Sequence, residues 1–186
     1  MDLSRLVETS AAVAATRSRL AKVAHLRDLL KGATGPDIGL VTHYLSGELP
    51  QGRIGVGPAL IRKVLPVPAA TTSGLTLADL NAAFDTVAAI SGSGANARRH
   101  AELEALLARA VGEEQQFIVR LLVGEIRQGA LEGVMVEAVA AAADLPAVTV
   151  RRALMISGSL PEVLLTALVG GVEQWRTSEG FLVRSP

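Results

Sequence analysis

LSGELPQGRI at residues 45–54 and LVGEIRQGAL at residues 122–131 are one pattern written twice. Gly47 falls on Gly124, Glu48 on Glu125, Gln51 on Gln128 and Gly52 on Gly129, a constant offset of 77 residues. Leu45, Leu49 and Ile54 fall on Leu122, Ile126 and Leu131, so the apolar positions repeat as well. Each copy ends one amphipathic run and leads into another. The repeated unit is helix, glycine-bearing turn, helix. Two such turns in one domain either reverse the chain twice or present two similar sets of backbone N–H groups to a partner that itself repeats. Equivalent units packed with equivalent ends aligned place both turns on one face.

The rest of the chain is helical in pattern. Its 186 residues are 49% apolar but hold only one Trp, one Tyr and three Phe. Ala, Leu and Val make up most of the apolar fraction, a composition for close-packed helices rather than a β-sandwich. Leu3, Leu6, Val7 and Val13 fit one helical face, and Leu20, Val23, Leu26, Leu29 and Leu30 fit a second. Ile38, Val41 and Leu45 line a third helix, opened by Pro36. A turn over 46–57 precedes a short helix from Pro58, stopped by Pro66 and Pro68. Thr76 with Asp79 predicts a capping box and a helix through Ile90. Residues 97–111 predict a charged amphipathic helix with Leu103, Leu106, Leu107 and Val111 inward; Gly112 breaks it and Gln115 resumes. After the second turn a helix runs through Ala143, and Pro146 and Pro161 mark two further starts. The reading is all-α, about ten helices in two pseudo-repeated halves. Residues 1–170 form the helical domain, and residues 171–186 read as a tail or linker.

Several function classes drop out on chemistry. No cysteine is present, so disulfides and thiolate catalysis are excluded. No apolar run reaches the roughly 18 residues of a membrane span, and MDLSRLVETS is no signal peptide; the expectation is a cytoplasmic protein with no membrane partner. His25, His43 and His100 lack metal-ligand spacing, and no metal is expected. Gly52-Arg-Ile-Gly-Val-Gly57 has Leu60 where a dinucleotide fingerprint needs its last glycine, and no strand precedes it. Glu102/Glu104 and Glu113/Glu114 sit on charged helix faces and read as solvated. Formal net charge is zero, but residues 1–31 hold six basic and three acidic side chains, whereas residues 71–115 hold three basic and six acidic.

The glycine turns remain. A helix N-terminus offers unpaired N–H groups and a positive dipole end, and glycines ahead of it let an anion approach the backbone. The first copy supplies Gly52, Arg53, Gly55 and Gly57 ahead of Pro58; the second supplies Arg127 and Gly129 ahead of Leu131. Either arginine suits a phosphate oxygen. Contacts of this kind position a duplex without reading its bases.

At this point three blocks match a known family. Tyr44-Leu-Ser-Gly-Glu-Leu-Pro-Gln-Gly-Arg-Ile-Gly-Val-Gly57 with Ala59-Leu-Ile61, Phe117-Ile-Val-Arg-Leu-Leu-Val-Gly-Glu-Ile-Arg-Gln-Gly129, and Val150-Arg-Arg-Ala-Leu154 with Leu160 and Val163 occur in family order and spacing. Over about residues 1–170 the chain resembles the N-terminal DNA-binding domain of ATP-dependent DNA ligases of the actinobacterial, archaeal and eukaryotic type. The resemblance implies an all-α domain of two pseudo-repeated halves that grips nicked double-stranded DNA across the minor groove, acting in replication, repair or recombination. It carries backbone binding onto Gly52, Arg53, Gly55, Gly57, Arg127 and Gly129. Where the family's second block often has a basic residue after its first glycine, this chain has Glu125.

The same resemblance implies what this chain lacks. These ligases attack ATP with a lysine in K-x-D-G, in a separate downstream domain. Lys22, Lys31 and Lys63 are the only lysines here, and none is followed by x-D-G. No catalytic residue, no cofactor and no activity are therefore expected in this chain alone. ATP and Mg2+ belong to the missing catalytic domains, and the ligase core is expected as a partner in cis, with the chain itself a monomer. The alternative reading, supported by zero net charge and Ala-rich composition, is a helical protein–protein interaction scaffold.

Overall fold

A computed structural model describes residues 1–126 and 131–167. Among the described residues there are ten helices: α1 Leu3–Ala15, α2 Arg19–Lys31, α3 Asp37–Leu45, α4 Pro58–Val64, α5 Leu77–Ala89, α6 Ala95–Ala108, α7 Gly112–Leu122, α8 Leu131–Ala142, α9 Ala147–Ser157 and α10 Leu160–Leu165. Extended pairing among them is limited to one bridge between Asp2 and Thr76. No single helix among the described residues is long and apolar enough to cross a membrane. The expected tail at 171–186 lies outside the described residues, as do Arg127 and Gly129.

The chain forms two compact units, and neither is contiguous in sequence. Met1–Glu8 and Gly47–Arg127 make the first; Thr9–Ser46 and Gln128–Pro186 make the second. The chain leaves the second unit at Ser46 and the first at Arg127. Both copies of the repeat therefore fall where the chain changes unit.

In the first unit α6 packs against α4 and α5. Phe84, Leu80, Leu103 and Ile118 are fully buried there. The chain start is tied in by backbone bonds, from Leu3 N–H to Leu75 O at 2.8 Å and from Leu77 N–H to Met1 O at 2.9 Å. The Thr76–Asp79 capping box forms as expected. Thr76 Oγ1 accepts from the Asp79 N–H at 3.1 Å, and the Thr76 N–H donates to Asp79 Oδ2 at 2.9 Å. The Thr76 hydroxyl, which donates to Asp79 Oδ2 at 2.6 Å, together with the Thr76 N–H and with Arg109, whose Nη2 donates to Asp79 Oδ1 at 3.2 Å, holds the Asp79 carboxyl down at about 2. α7 begins at Gly112, three residues ahead of the resumption at Gln115 read from the sequence. The reason is Glu114, buried at the third position, whose Oε2 accepts from the Val111 N–H at 3.1 Å and starts the helix early. Ser73 donates to the other oxygen of the same carboxylate.

In the second unit α8 packs against α2 and α9, while α10 packs against α3 and α9. Leu26, Leu29 and Leu30 of α2 and Val134, Met135, Ala138 and Val139 of α8 are buried. Arg19 grips Glu137 with two bonds, Nε to Oε2 at 3.1 Å and Nη2 to Oε1 at 2.9 Å, tying the start of α2 to α8. One apolar residue assigned to the inner face of α2 is not there. Leu20 is 82% exposed. It sits in the first turn, one residue after Arg19, and the fork to Glu137 fixes Arg19 toward α8, which turns the next side chain outward.

Candidate functional site

The repeat has a local structural meaning that can be read bond by bond. α7 ends at Leu122 with Val123 as cap, and Gly124 follows at φ +75. The Gly124 N–H donates to Leu121 O at 3.2 Å, and the Glu125 N–H donates to Arg120 O at 2.8 Å. This is a Schellman close, and its left-handed residue favours glycine because a Cβ there is strained. α3 also ends at a left-handed glycine: Ser46 caps it and Gly47 stands at φ +73. The first glycine of each copy thus ends a helix. Glu48 and Glu125, one residue on, are both exposed.

The first turn continues through Pro50 and Gln51, with the Gly52 N–H donating to Leu49 O at 2.9 Å. Ile54 is 4% exposed and pins the chain into the core of the first unit. Its neighbours Gly52, Arg53 and Gly55 are exposed. A buried isoleucine flanked by exposed glycine and arginine projects Arg53 outward. Arg53 makes no hydrogen bond or ion pair with any described residue.

Two side chains fasten this turn to α5 and α6. Gln51 Nε2 donates to Asn81 Oδ1 at 2.8 Å and to Asp85 Oδ1 at 2.7 Å. Asn81 Nδ2 in turn donates to Asp85 Oδ2 at 3.0 Å. On the other side, Gly55 stands at φ +72 against the Arg99 guanidinium; a Cβ there would sit 2.7 Å from Arg99 Cζ. Gly57 caps α4 with extended backbone and without a side-chain bond, and a Cβ at Gly57 would meet nothing within 4 Å.

The sequence reading placed its weight on the helix that starts at Pro58. That helix, α4, has seven residues, and Pro58 brings no N–H to its first turn. The anion-binding case therefore rests on the exposed turn and its cation rather than on a helix dipole. Two further cations stand outside the six residues singled out from sequence. Arg62 and Lys63 of α4 are exposed, and from Leu49 to Ala78 the chain holds Arg53, Arg62 and Lys63 with no acid at all. Other cations of this unit are committed. Arg98 Nη2 donates to Ser91 O at 2.6 Å, Arg99 Nη2 to Ile90 O at 2.6 Å, and Arg109 to Asp79. The acid-free run was visible in the sequence; which arginines were already engaged was not.

Of the six residues singled out from sequence, Gly52, Arg53, Gly55 and Gly57 stand in this one turn, and Arg127 and Gly129 lie outside the described residues. Among the described residues no group of three His, Asp or Glu side chains is arranged to hold a metal ion. His25, His43 and His100 belong to three different helices.

Residues 66–140 match the family described as DNA ligase N terminus. The chain is 49% identical over 174 residues to a probable DNA ligase of Anaeromyxobacter dehalogenans (strain 2CP-C), covering 92% of this chain and 34% of the relative. It is 47% identical over 173 residues to a probable DNA ligase of Rhodococcus opacus (strain B4), covering 93% and 34%. A probable DNA ligase of Saccharopolyspora erythraea is 51% identical over 172 residues, covering 92% and 34%. The chain spans about a third of the length of these curated relatives.

Proposed function

The chain belongs to the DNA ligase N-terminal domain family, and from that premise we propose that it binds nicked double-stranded DNA through its sugar–phosphate backbone. It does so without reading bases, as the N-terminal module of an ATP-dependent ligase that works in replication, repair or recombination. The observation that carries this reading is the turn at 52–57. It is exposed, rich in glycine, braced on both sides, and it projects an unpaired Arg53 from a stretch free of acids. Arg53, with Arg62 and Lys63 beside it in sequence, supplies charge for phosphate oxygens, and the glycines let the backbone come close. On the strength of the sequence repeat alone, Arg127 and Gly129 are assigned the same backbone-binding role.

The module itself does no chemistry in this proposal. Sealing a nick requires a lysyl-adenylate, and no lysine here lies in K-x-D-G. ATP and Mg2+ act in the catalytic core, supplied in cis by the part of the relatives beyond the matched third. The module works as a monomer in the cytoplasm, on the nucleoid.

The test is a salt titration of binding to a nicked duplex by fluorescence anisotropy. Affinity should fall linearly in log–log with salt and be alike for unrelated sequences. A chain that binds no duplex at low salt is a helical interaction scaffold, and the proposal fails.

A further inference from the structure

We propose that Arg99 is the positioning residue of the 52–57 turn. Its guanidinium, fixed on the C-terminal end of α5, is the platform that sets where Gly55, and through it Arg53, stands. This inference rests on the reading of that turn as a phosphate-binding element.

The last carbonyls of a helix need donors from outside it. Arg99 provides them for α5: Nη2 donates to Ile90 O at 2.6 Å and Nε donates to Val87 O at 3.5 Å. Capping alone would leave the outer side of the guanidinium bare. Instead the backbone of Gly55 lies on it. A Cβ at Gly55 would be 2.7 Å from Cζ, 2.9 Å from Nη2 and 3.1 Å from Nη1. Three nearly equal distances mean that the glycine faces the guanidinium group rather than its edge. Arg99 is half-buried and Gly55 exposed, so the turn has the guanidinium on one side and solvent on the other.

Gln51 braces the turn from its other end through Asn81 and Asp85. Residues 51 and 55 are held, Ile54 is buried, and Arg53 is the outward residue between them. A binding side chain on an exposed loop loses affinity to the entropy of ordering that loop. A turn held on both flanks has lost that freedom before the ligand arrives. Lysine in place of Arg99 keeps the charge but has no planar fork to grip two carbonyls and carry the glycine. The glycine at 55, read from sequence as an opening for phosphate, is favoured by its left-handed backbone at φ +72 and packs on the arginine behind it.

The test uses Arg99→Met and Arg99→Lys in the 186-residue chain, with hydrogen exchange of the amides at 52–57 and binding to a nicked duplex across salt. Circular dichroism reports whether each variant is folded. In both variants the Gly52 amide, bonded to Leu49 O at 2.9 Å, should exchange about tenfold faster and the Kd should rise about tenfold, the scale of lost bonds from a charged donor. Adding Arg99→Met to Arg53→Ala should cost little more than Arg53→Ala alone, because Arg99 acts through that residue. Should Arg99→Met fail to fold, Arg99→Gln keeps a planar polar head but loses the charged fork, and it should speed exchange and weaken binding likewise. Unchanged exchange overturns the proposal, as does faster exchange with unchanged affinity. Full affinity in Arg99→Lys overturns it too, since charge alone would then suffice. If the wild-type chain binds no duplex, the functional reading falls separately, and the exchange measurement still decides whether Arg99 braces the turn.

Discussion

Gln51 hands one amide proton to Asp85, with Nε2 and Oδ1 2.7 Å apart, and this glutamine is among the residues that both copies of the repeat share. The bond runs to a charged acceptor, and a second one reaches Asn81 Oδ1. Gln51 therefore works inward, against α5, while Arg53 works outward.

Replacing Gln51 by Ala should destabilise the chain by about 1 kcal/mol, the net worth of a hydrogen bond of this class. Gln51→Glu should cost more at neutral pH, because it sets a carboxylate against Asp85. Urea melts of the three proteins check the order wild type, Ala, Glu. If Gln51→Glu is as stable as wild type, Gln51 does not hold the turn to α5.

Arg53→Ala should weaken binding to all duplexes alike and reduce the salt slope by about one unit, the signature of one lost phosphate contact. The fold should be untouched, since Arg53 bonds to no described residue. Arg62→Ala is expected to act in the same direction with a smaller loss. A changed base preference in either variant would mean direct readout and would contradict a backbone-only interface.

The acid limb of stability should be sensitive to Asp79. Its folded pKa is held down at about 2, by the Thr76 hydroxyl and N–H first and Arg109 after them, against an ordinary value of 3.8. A depressed carboxylate stabilises the fold above its unfolded pKa, and that contribution disappears as pH falls from about 4 toward 2. Asp79→Asn should thus be less stable than wild type at pH 7, with the gap closing over that window. Thr76→Ala should cost about 1 kcal/mol at pH 7 as a lost helix cap. A gap between wild type and Asp79→Asn that stays constant from pH 7 to pH 2 would show that the carboxylate charge adds nothing.

How far the sequence reached depends on the range of the interaction. Thr76 and Asp79 are three residues apart, so their capping box could be read directly, as could the helix stops at Gly47 and Gly124. Ile38, Val41 and Leu45 announced a buried face by spacing alone, and the structure buries all three. Leu20 shared that kind of spacing and yet is exposed, because a fork between Arg19 and Glu137 decides its direction, and that partner is 118 residues away. The site divides along the same line. Glycines and an arginine at 52–57 stood out as a local pattern. That Gly55 answers to Arg99 and Gln51 to Asp85 depends on α5 and α6 being folded behind the turn, which no local spacing encodes.

Incubated with labelled ATP and Mg2+, the chain alone should remain unlabelled. An amine attacks the α-phosphate only when it is unprotonated and held in line beside a bound nucleotide. Lys31 and Lys63 stand on exposed surfaces and Lys22 is half-buried on α2, with none in a K-x-D-G context. Added in trans to a ligase core that lacks this module, the chain should still raise nick sealing by holding the duplex. The gain should be modest, because two separate molecules lack the effective concentration of a covalent tether, typically millimolar for a short flexible one. Joining the module to the same core should therefore raise sealing further, most of all at low protein concentration. Stoichiometric label on Lys22, Lys31 or Lys63 would place catalysis within this chain and overturn the division of labour proposed for it.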